Sequence, residues 1–190
     1  TPTSVAEDGT VEICPAISDV DDAVGTLTTG TCGGGSNGTF APSGNANCFD
    51  YTPNGDFFGM DTVCSYVCDP SGLCDTAYHI ITVNPVNDTP VIVQPPVVVP
   101  EDSTFTVCPT VTDVDDVTSN LTIGVCANPT SGTYVETSSG SGCYVYTPNP
   151  SFTGADTICT YVCDPSGACD TILIPISVEQ VNDAPEVTET

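Results

Sequence analysis

The sequence predicts an all-β chain made of two tandem sandwiches in an extended array, and three observations predict it. First, the second half repeats the first: "VAEDGTVEICP" (5–15) answers "VPEDSTFTVCP" (99–109), and "VNDTP" (86–90) answers "VNDAP" (181–185). Likewise "YTPNGDFFGMDTVCSYVCDPSGLCD" (51–75) answers "YTPNPSFTGADTICTYVCDPSGACD" (146–170). The offset is 94, then 95 after one inserted residue. A period this long fits whole small domains rather than solenoid turns. Second, the apolar residues fall in short β-rich runs bounded by Gly, Pro, Asn and Asp, without sustained 3.6-residue periodicity. Third, about seven such runs fall in roughly 95 residues, the signature of a seven-stranded, Greek-key, immunoglobulin-like sandwich.

In the first unit the strands are expected near 3–8 (A), 10–17 (B), 26–32 (C), 38–42 (D), 47–52 (E), 62–68 (F) and 75–83 (G). Strand B carries "TVEI", with Val11 and Ile13 pointing inward. Strand C reads "LTIGV" in the second copy, and strand E reads "YVYT". Strand F alternates, so Val63, Ser65 and Val67 face the core; the second copy has Ile158, Thr160 and Val162 there. Strand G reads "TILIPISV" in the second copy. The expected units are 1–88, opening within strand A, and 89–184. Residues 185–190 match the opening at 90–95 and would begin a third unit of a longer array.

Composition narrows the function. The chain holds 25 acidic residues, no Lys or Arg and one His, a net charge of -25. A phosphate backbone needs Lys and Arg to displace its counterions, so nucleic acid is excluded as a natural partner. Direct membrane insertion is not expected, for want of a long apolar run. A chain so charged repels itself unless a cation from solution neutralises it. Twelve cysteines in 190 residues rich in Gly and Pro point to an extracellular, oxidising setting.

Parity restricts the disulfides. With Val63, Val67, Ile13, Phe49 and Tyr51 inward, Cys64, Cys68, Cys14 and Cys48 point outward, and Cys32 has outward parity relative to Leu27. Strand B neighbours E, and C neighbours F, in a sandwich of this kind. The expected bridges are Cys14–Cys48, Cys32–Cys64 and Cys68–Cys74, repeated as Cys108–Cys143, Cys126–Cys159 and Cys163–Cys169. A Cys14–Cys64 bridge through the core is the rival pairing. The spacings Cys-x3-Cys and Cys-x5-Cys are not those of a zinc site.

The ordered motifs "ED[GS]T", "DVDD", "YTPN", "F.G.D", "D..G..D" and "VND" resemble the cadherin-like tandem repeats of giant bacterial surface adhesins, of the VNDAP type. The six cysteines per unit are most similar to repeats of gliding-motility adhesins. The resemblance implies Ca2+ where units join, held by Glu7, Asp61, Asn87, Asp88, Asp113, Asp115 and Asp164. Asp19, Asp21 and Asp69 would form an upper half-site. Glu101, Asp156, Asn182 and Asp183 would form a lower one. The chemistry of the residues agrees, since many carboxylates without Lys or Arg suit a hard cation with oxygen ligands. Asp61 has the alternative role of capping a turn, and solvated loop acids with Asx turns are the plain alternative for the rest.

The expected function is a calcium-stiffened, disulfide-locked spacer of a cell-surface filament. Its partners would be neighbouring repeats of the same chain, with a surface polysaccharide or other ligand bound through other domains. A carbohydrate- or protein-binding module is the alternative, with Tyr78, Tyr134 or Tyr144 lining the surface. Catalysis is not expected: His79 is the lone histidine, and Ile174 stands in its place in the second copy. Asn37 and Asn120 match the N-linked sequon. Thr62, Thr76, Thr157 and Thr171 lie in Asp-Thr-apolar triplets that also serve as strand starts.

Overall fold

The structure, a computed structural model, describes residues 3–185. Of the segment expected to open a third unit, only Pro185 lies among the described residues. The chain divides into two compact units, Thr1–Val86 and Asn87–Thr190.

In the first unit, β1 (Thr3–Ala6), β7 (Cys74–Asn84), β6 (Gly59–Cys68) and β3 (Thr28–Gly33) form one sheet in the order β1-β7-β6-β3. The facing sheet runs β2-β5-β4, from β2 (Val11–Ile13), β5 (Phe49–Pro53) and β4 (Gly38–Pro42). β1 runs parallel to β7, with Val5 opposite Val83. All other pairs are antiparallel.

The second unit repeats this arrangement with β9 (Val97–Pro100), β16 (Cys169–Glu179), β15 (Gly154–Cys163) and β12 (Thr122–Ala127) in one sheet. β10 (Phe105–Val107), β14 (Tyr144–Pro148) and β13 (Gly132–Glu136) form the other. It also has a small ladder, in which β8 (Val91–Val93) pairs antiparallel with β11 (Thr110–Thr112).

Strand B is shorter than the expected 10–17. β2 stops at Ile13, and its counterpart is split between β10 and β11. Pro15 and Pro109 stand at the interruptions, where a missing N–H cannot continue a ladder. Strand F starts earlier than expected, at Gly59.

The inward faces meet in one core per unit. Val5, Ile13, Phe40, Phe49, Tyr51, Val63, Ile81 and Val83 close the first. Val97, Val99, Val107, Tyr134, Tyr144, Tyr146, Ile158, Ile174, Ile176 and Val178 close the second. Burial of such side chains is worth roughly 1.5–3 kcal/mol each. The β6 parity places Ser65 inward too, and it is 4% exposed. Its hydroxyl lies 2.8 Å from His79 Nε2 on β7, so the single histidine is a strand residue that satisfies a buried hydroxyl.

Six disulfides cross the strands: Cys14–Cys48, Cys32–Cys64, Cys68–Cys74, Cys108–Cys143, Cys126–Cys159 and Cys163–Cys169. No cysteine is free. Cys32 and Cys126 sit where the β3–β6 and β12–β15 registers shift, at a bulge that frees the side chain to reach the neighbouring strand. No Cys14–Cys64 bridge crosses the core; Cys48 and Cys64, bonded to Cys14 and Cys32, are themselves buried.

Candidate metal centre

The loop between the second and third strands carries "DVDD". In the first unit Asp19 Oδ1 accepts the N–H of Asp21 at 2.8 Å and of Asp22 at 2.9 Å, an Asx-type turn. These two bonds, that of Asp22 first, hold its carboxyl below the ordinary carboxylate range. Asp113 repeats the turn, accepting Asp115 N–H at 2.9 Å and Asp116 N–H at 2.8 Å. The other Asp113 oxygen, Oδ2, is buried and has no hydrogen-bond partner.

The hairpin between β6 and β7 carries "CDPSG". Cys68 and Cys74 face each other in register, so their bridge closes the hairpin at its base. Gly72 at φ 89° and Gly167 at φ 94° take the left-handed turn that a side chain would oppose. The turn folds its own N–H groups onto the acid. Asp69 Oδ1 accepts Leu73 N–H at 2.8 Å. Asp164 Oδ1 accepts Gly167 N–H at 2.6 Å and Ala168 N–H at 2.9 Å.

Loop and hairpin meet in each unit. In the first, carboxylate oxygens of Asp19, Asp22 and Asp69 all lie within 4.8 Å of one another. The sequence reading placed Asp21 here, and the structure puts Asp22 in the cluster instead. The Asx turn explains the change, because it folds residue i+3 back over Asp19. The repeated "DD" was the available signal. In the second unit Asn87 Nδ2 donates to Asp164 Oδ2 at 2.7 Å, and Asp88 N–H donates to Asp115 Oδ2 at 2.8 Å. The "VND" segment thus docks on both the loop and the hairpin. The Asn87 amide above all, aided by the hairpin N–H groups against the opposing effect of burial, holds the Asp164 carboxyl below its ordinary range.

At the end of the first strand, Glu7 is 2% exposed. Its Oε1 accepts Val86 N–H at 2.5 Å, while Oε2 is buried without a hydrogen-bond partner. Glu101 makes the matching bond to Val181 N–H at 2.8 Å. Asn182 Nδ2 reaches the Asp183 carbonyl at 3.4 Å, a looser turn than the 2.8 Å bond from Asn87 to the Asp88 carbonyl.

Asp61 and Asp156 are held differently. Asp61 accepts Ser36 N–H and Asn37 N–H at 3.1 Å, Tyr51 O–H at 2.8 Å and Thr62 N–H at 2.8 Å. Asp156 accepts Thr130 N–H at 3.0 Å, Ser131 N–H at 2.9 Å, Tyr146 O–H at 3.0 Å and Thr157 N–H at 2.9 Å. Burial alone would raise both carboxyls, but these bonds together outweigh it and hold both below the ordinary range. Both oxygens of each acid are satisfied within the unit, so these two act as loop clamps. Tyr51 and Tyr146 are pushed up, first by burial and then by the acid each one bonds.

The donor set consists of carboxylate, amide and carbonyl oxygens, because every cysteine is bonded and the histidine is in the sandwich. A buried carboxylate oxygen with no donor is costly, and Glu7 and Asp113 each carry one. Oxygen-only donors at high negative charge fit a calcium ion.

The family of bacterial Ig domains matches residues 1–82 and again 87–177, and the chain belongs to that family. Both units are bacterial Ig repeats with a cadherin-like fold. A solved protocadherin fragment, PcdhgB3 EC1-4, is 11% identical with a TM-score of 0.55, covering 95% of this chain and 48% of its own. The protocadherin gamma B2 extracellular cadherin domains 1-5 are 16% identical, with a TM-score of 0.47, and cover 95% and 38%. An endo-fucoidan hydrolase of glycoside hydrolase family 107 is 17% identical, with a TM-score of 0.38, and covers 95% and 28%. The chain thus spans less than half the length of each of these proteins. At such identities the likeness concerns the fold alone. No curated protein matches the chain.

Proposed function

We propose that the two units are spacer repeats of a secreted, cell-surface adhesin of the gliding-motility kind, stiffened by calcium. The observation that carries this reading is the pair of buried, donorless carboxylate oxygens on Glu7 and Asp113, in a chain with no Lys or Arg. An internal cation cannot neutralise them, so the ion comes from solution. The proposed ligands are Glu7 in the first unit and, in the second, Asn87, Asp88, Asp113, Asp115 and Asp164. Asp19, Asp22 and Asp69 form the equivalent loop-and-hairpin set of the first unit. Calcium bound there would supply the positive charge that lets these acids pack. The residues themselves provide rigid oxygen positions, because the Asx turns and the disulfide-closed hairpins fix them before the ion arrives.

Six disulfides and a bacterial Ig family support an extracellular setting. The near-identical motifs of the two units favour a spacer, since repetition adds reach and leaves adhesion to other domains. Small-angle scattering with and without chelator tests the stiffening. A narrow distribution of interunit distances in calcium, broadened by chelation, is expected. Identical profiles in both conditions would refute it.

A further inference from the structure

One broad surface of the first unit carries no charge. Alternate residues of β6 from Met60 to Cys68, and of β7 from Cys74 to Thr82, form the outer face of the β1-β7-β6-β3 sheet. None of them is an acid, in a chain that holds 25. Asp61 and Asp75, on the same strands, have the opposite parity. Register sets Thr62 opposite Ile80 and Cys64 opposite Tyr78. Met60 is 75% exposed, Tyr78 74% and Ile80 60%.

Tyr66 extends this face. Its ring lies across Gly30 on β3, in the space a Cβ there would take, so only glycine leaves room for it. The second unit keeps that feature, with Tyr161 across Gly124. It has Ala155, Leu173 and Pro175 where the first has Met60, Tyr78 and Ile80. Of the three tyrosines that the sequence offers for a binding surface, Tyr134 and Tyr144 are buried in the second core, which leaves Tyr78. A cluster of exposed apolar side chains bordered by hydroxyls marks an interaction site.

The face restricts its occupant. β7 and β6 are the inner strands of the sheet, with ladders on both sides, so no backbone edge is open to an added peptide strand. From Met60 to Tyr66 the face runs about 20 Å, and two strands give it a width of about 10 Å. That area of about 200 Å² is far below the roughly 800 Å² per partner of a standard protein interface. A net charge of -25 repels a second copy of the chain and any polyanion, and a basic partner is drawn to the acid-bearing loops instead. What fits is a thin, uncharged chain with apolar faces and hydroxyl edges.

We propose that this face of the first unit binds a neutral polysaccharide. Sugar rings lie with their C–H faces on Tyr78, flanked by Met60 and Ile80, and their hydroxyls bond Thr62, Thr76 and Thr82. Tyrosine suits the contact because its ring is apolar and its O–H stays available for a bond. This is a lateral contact of one unit, added to the reach that the repeats provide, and it does not depend on calcium.

The test uses the whole chain, isotopically labelled, with cellohexaose, xylohexaose, mannohexaose and laminarihexaose as neutral probes and dextran sulfate as the anionic one. Saturable shift changes centred on Met60, Thr62, Thr76, Tyr78 and Ile80 are expected with at least one neutral sugar. The face around Leu173 stays unmoved, and dextran sulfate has no effect. Tyr78→Leu weakens the binding at least several-fold. That variant places the second unit's residue at an exposed position, so the fold is kept, and its thermal transition checks this. No saturable change with any neutral sugar at millimolar concentration overturns the proposal. So do equal binding of dextran sulfate, changes of equal size around Leu173, or unchanged affinity in Tyr78→Leu. Self-association of the chain in sedimentation, abolished by Tyr78→Leu, also overturns it and assigns the face to a second copy. Tyr78→Leu leaves the response of the scattering profile to chelator as it is, so the two readings fail separately.

Discussion

Asp61 and Asp156 show how one carboxylate can organise a loop. Each takes two backbone N–H groups from a segment some 25 residues upstream, a tyrosine hydroxyl and the N–H of its own successor. Removing the charge weakens several charge-assisted bonds at once, so Asp61→Asn or Asp156→Asn should cost about 1–3 kcal/mol in urea unfolding at neutral pH. Their pH dependence has a fixed sign. The folded carboxyls sit below the ordinary value of 3.8, so their contribution is full above about pH 4. It is lost as pH falls through the folded value. The wild type should lose stability below pH 4 more steeply than the double Asn variant; parallel pH profiles would contradict this clamp role. Little of this was legible beforehand. "F.G.D" gives an acid before a strand, but the residues that fill it, at 36–37 and 130–131, are distant in sequence and unmarked by composition. Asp22 was missed for a related reason: its place depends on the turn that Asp19 makes, not on its spacing from Asp69.

The second core carries two buried hydroxyls, on Tyr134 and Thr160, that interact with each other and have no further hydrogen-bond partner. The first unit has Phe40 and the His79-bonded Ser65 at those positions. Replacing both partners together by apolar groups of similar shape should be neutral or stabilising, because neither hydroxyl is left unpaired and a desolvation cost is relieved. Tyr134→Phe with Thr160→Val is therefore expected to hold or raise the melting temperature of the second unit, and a clear fall measured by calorimetry would show that the pair stabilises the core.

At the scale of elements, strand parity was the informative signal. Alternation in "DTVCSYVC" separates core residues from thiols without any knowledge of the fold, and the bridges observed join outward positions on neighbouring strands. The breaks at Pro15 and Pro109 were less legible, since a strand pattern runs through them in "EICPAIS" while the missing N–H decides the ladder. The bridges differ in loop length: 34 and 32 residues for Cys14–Cys48 and Cys32–Cys64, but 6 for Cys68–Cys74. Chain-entropy reasoning gives about 3.7 kcal/mol for the long loops and about 2 kcal/mol for the short one. Pairwise Cys→Ala variants should rank in that order in denaturant unfolding. The hairpin bridge should matter more to the acid it positions: Cys163→Ala with Cys169→Ala is expected to weaken calcium binding several-fold while costing the least stability. Unchanged affinity in that variant would assign the bridge to stability alone.

For the whole molecule, charge is the governing quantity. A chain of net charge -25 with no Lys or Arg must gather its acids around ions from solution or spread them into water. Both exposed and buried acids occur here. Asp56, Asp75 and Asp102 are exposed, whereas Glu7 and Asp164 are buried. The repeat, the all-β fold and the acid-rich loops were readable because each is written twice in the sequence at one offset. Which acids face a neighbour's N–H and which keep an empty oxygen is set by turn geometry, and only the coordinates distinguish Asp61 from Asp113.

Calorimetric titration of the chelator-treated chain with CaCl2, run beside the Asp113→Asn and Glu7→Gln variants, tests the central claim most directly. Saturable binding at or tighter than about 0.1–1 mM, the range of extracellular calcium modules, weakened at least tenfold in each variant, is the predicted result. Absence of saturable heat up to 10-fold above about 1 mM, or titrations identical in all three proteins, would contradict it.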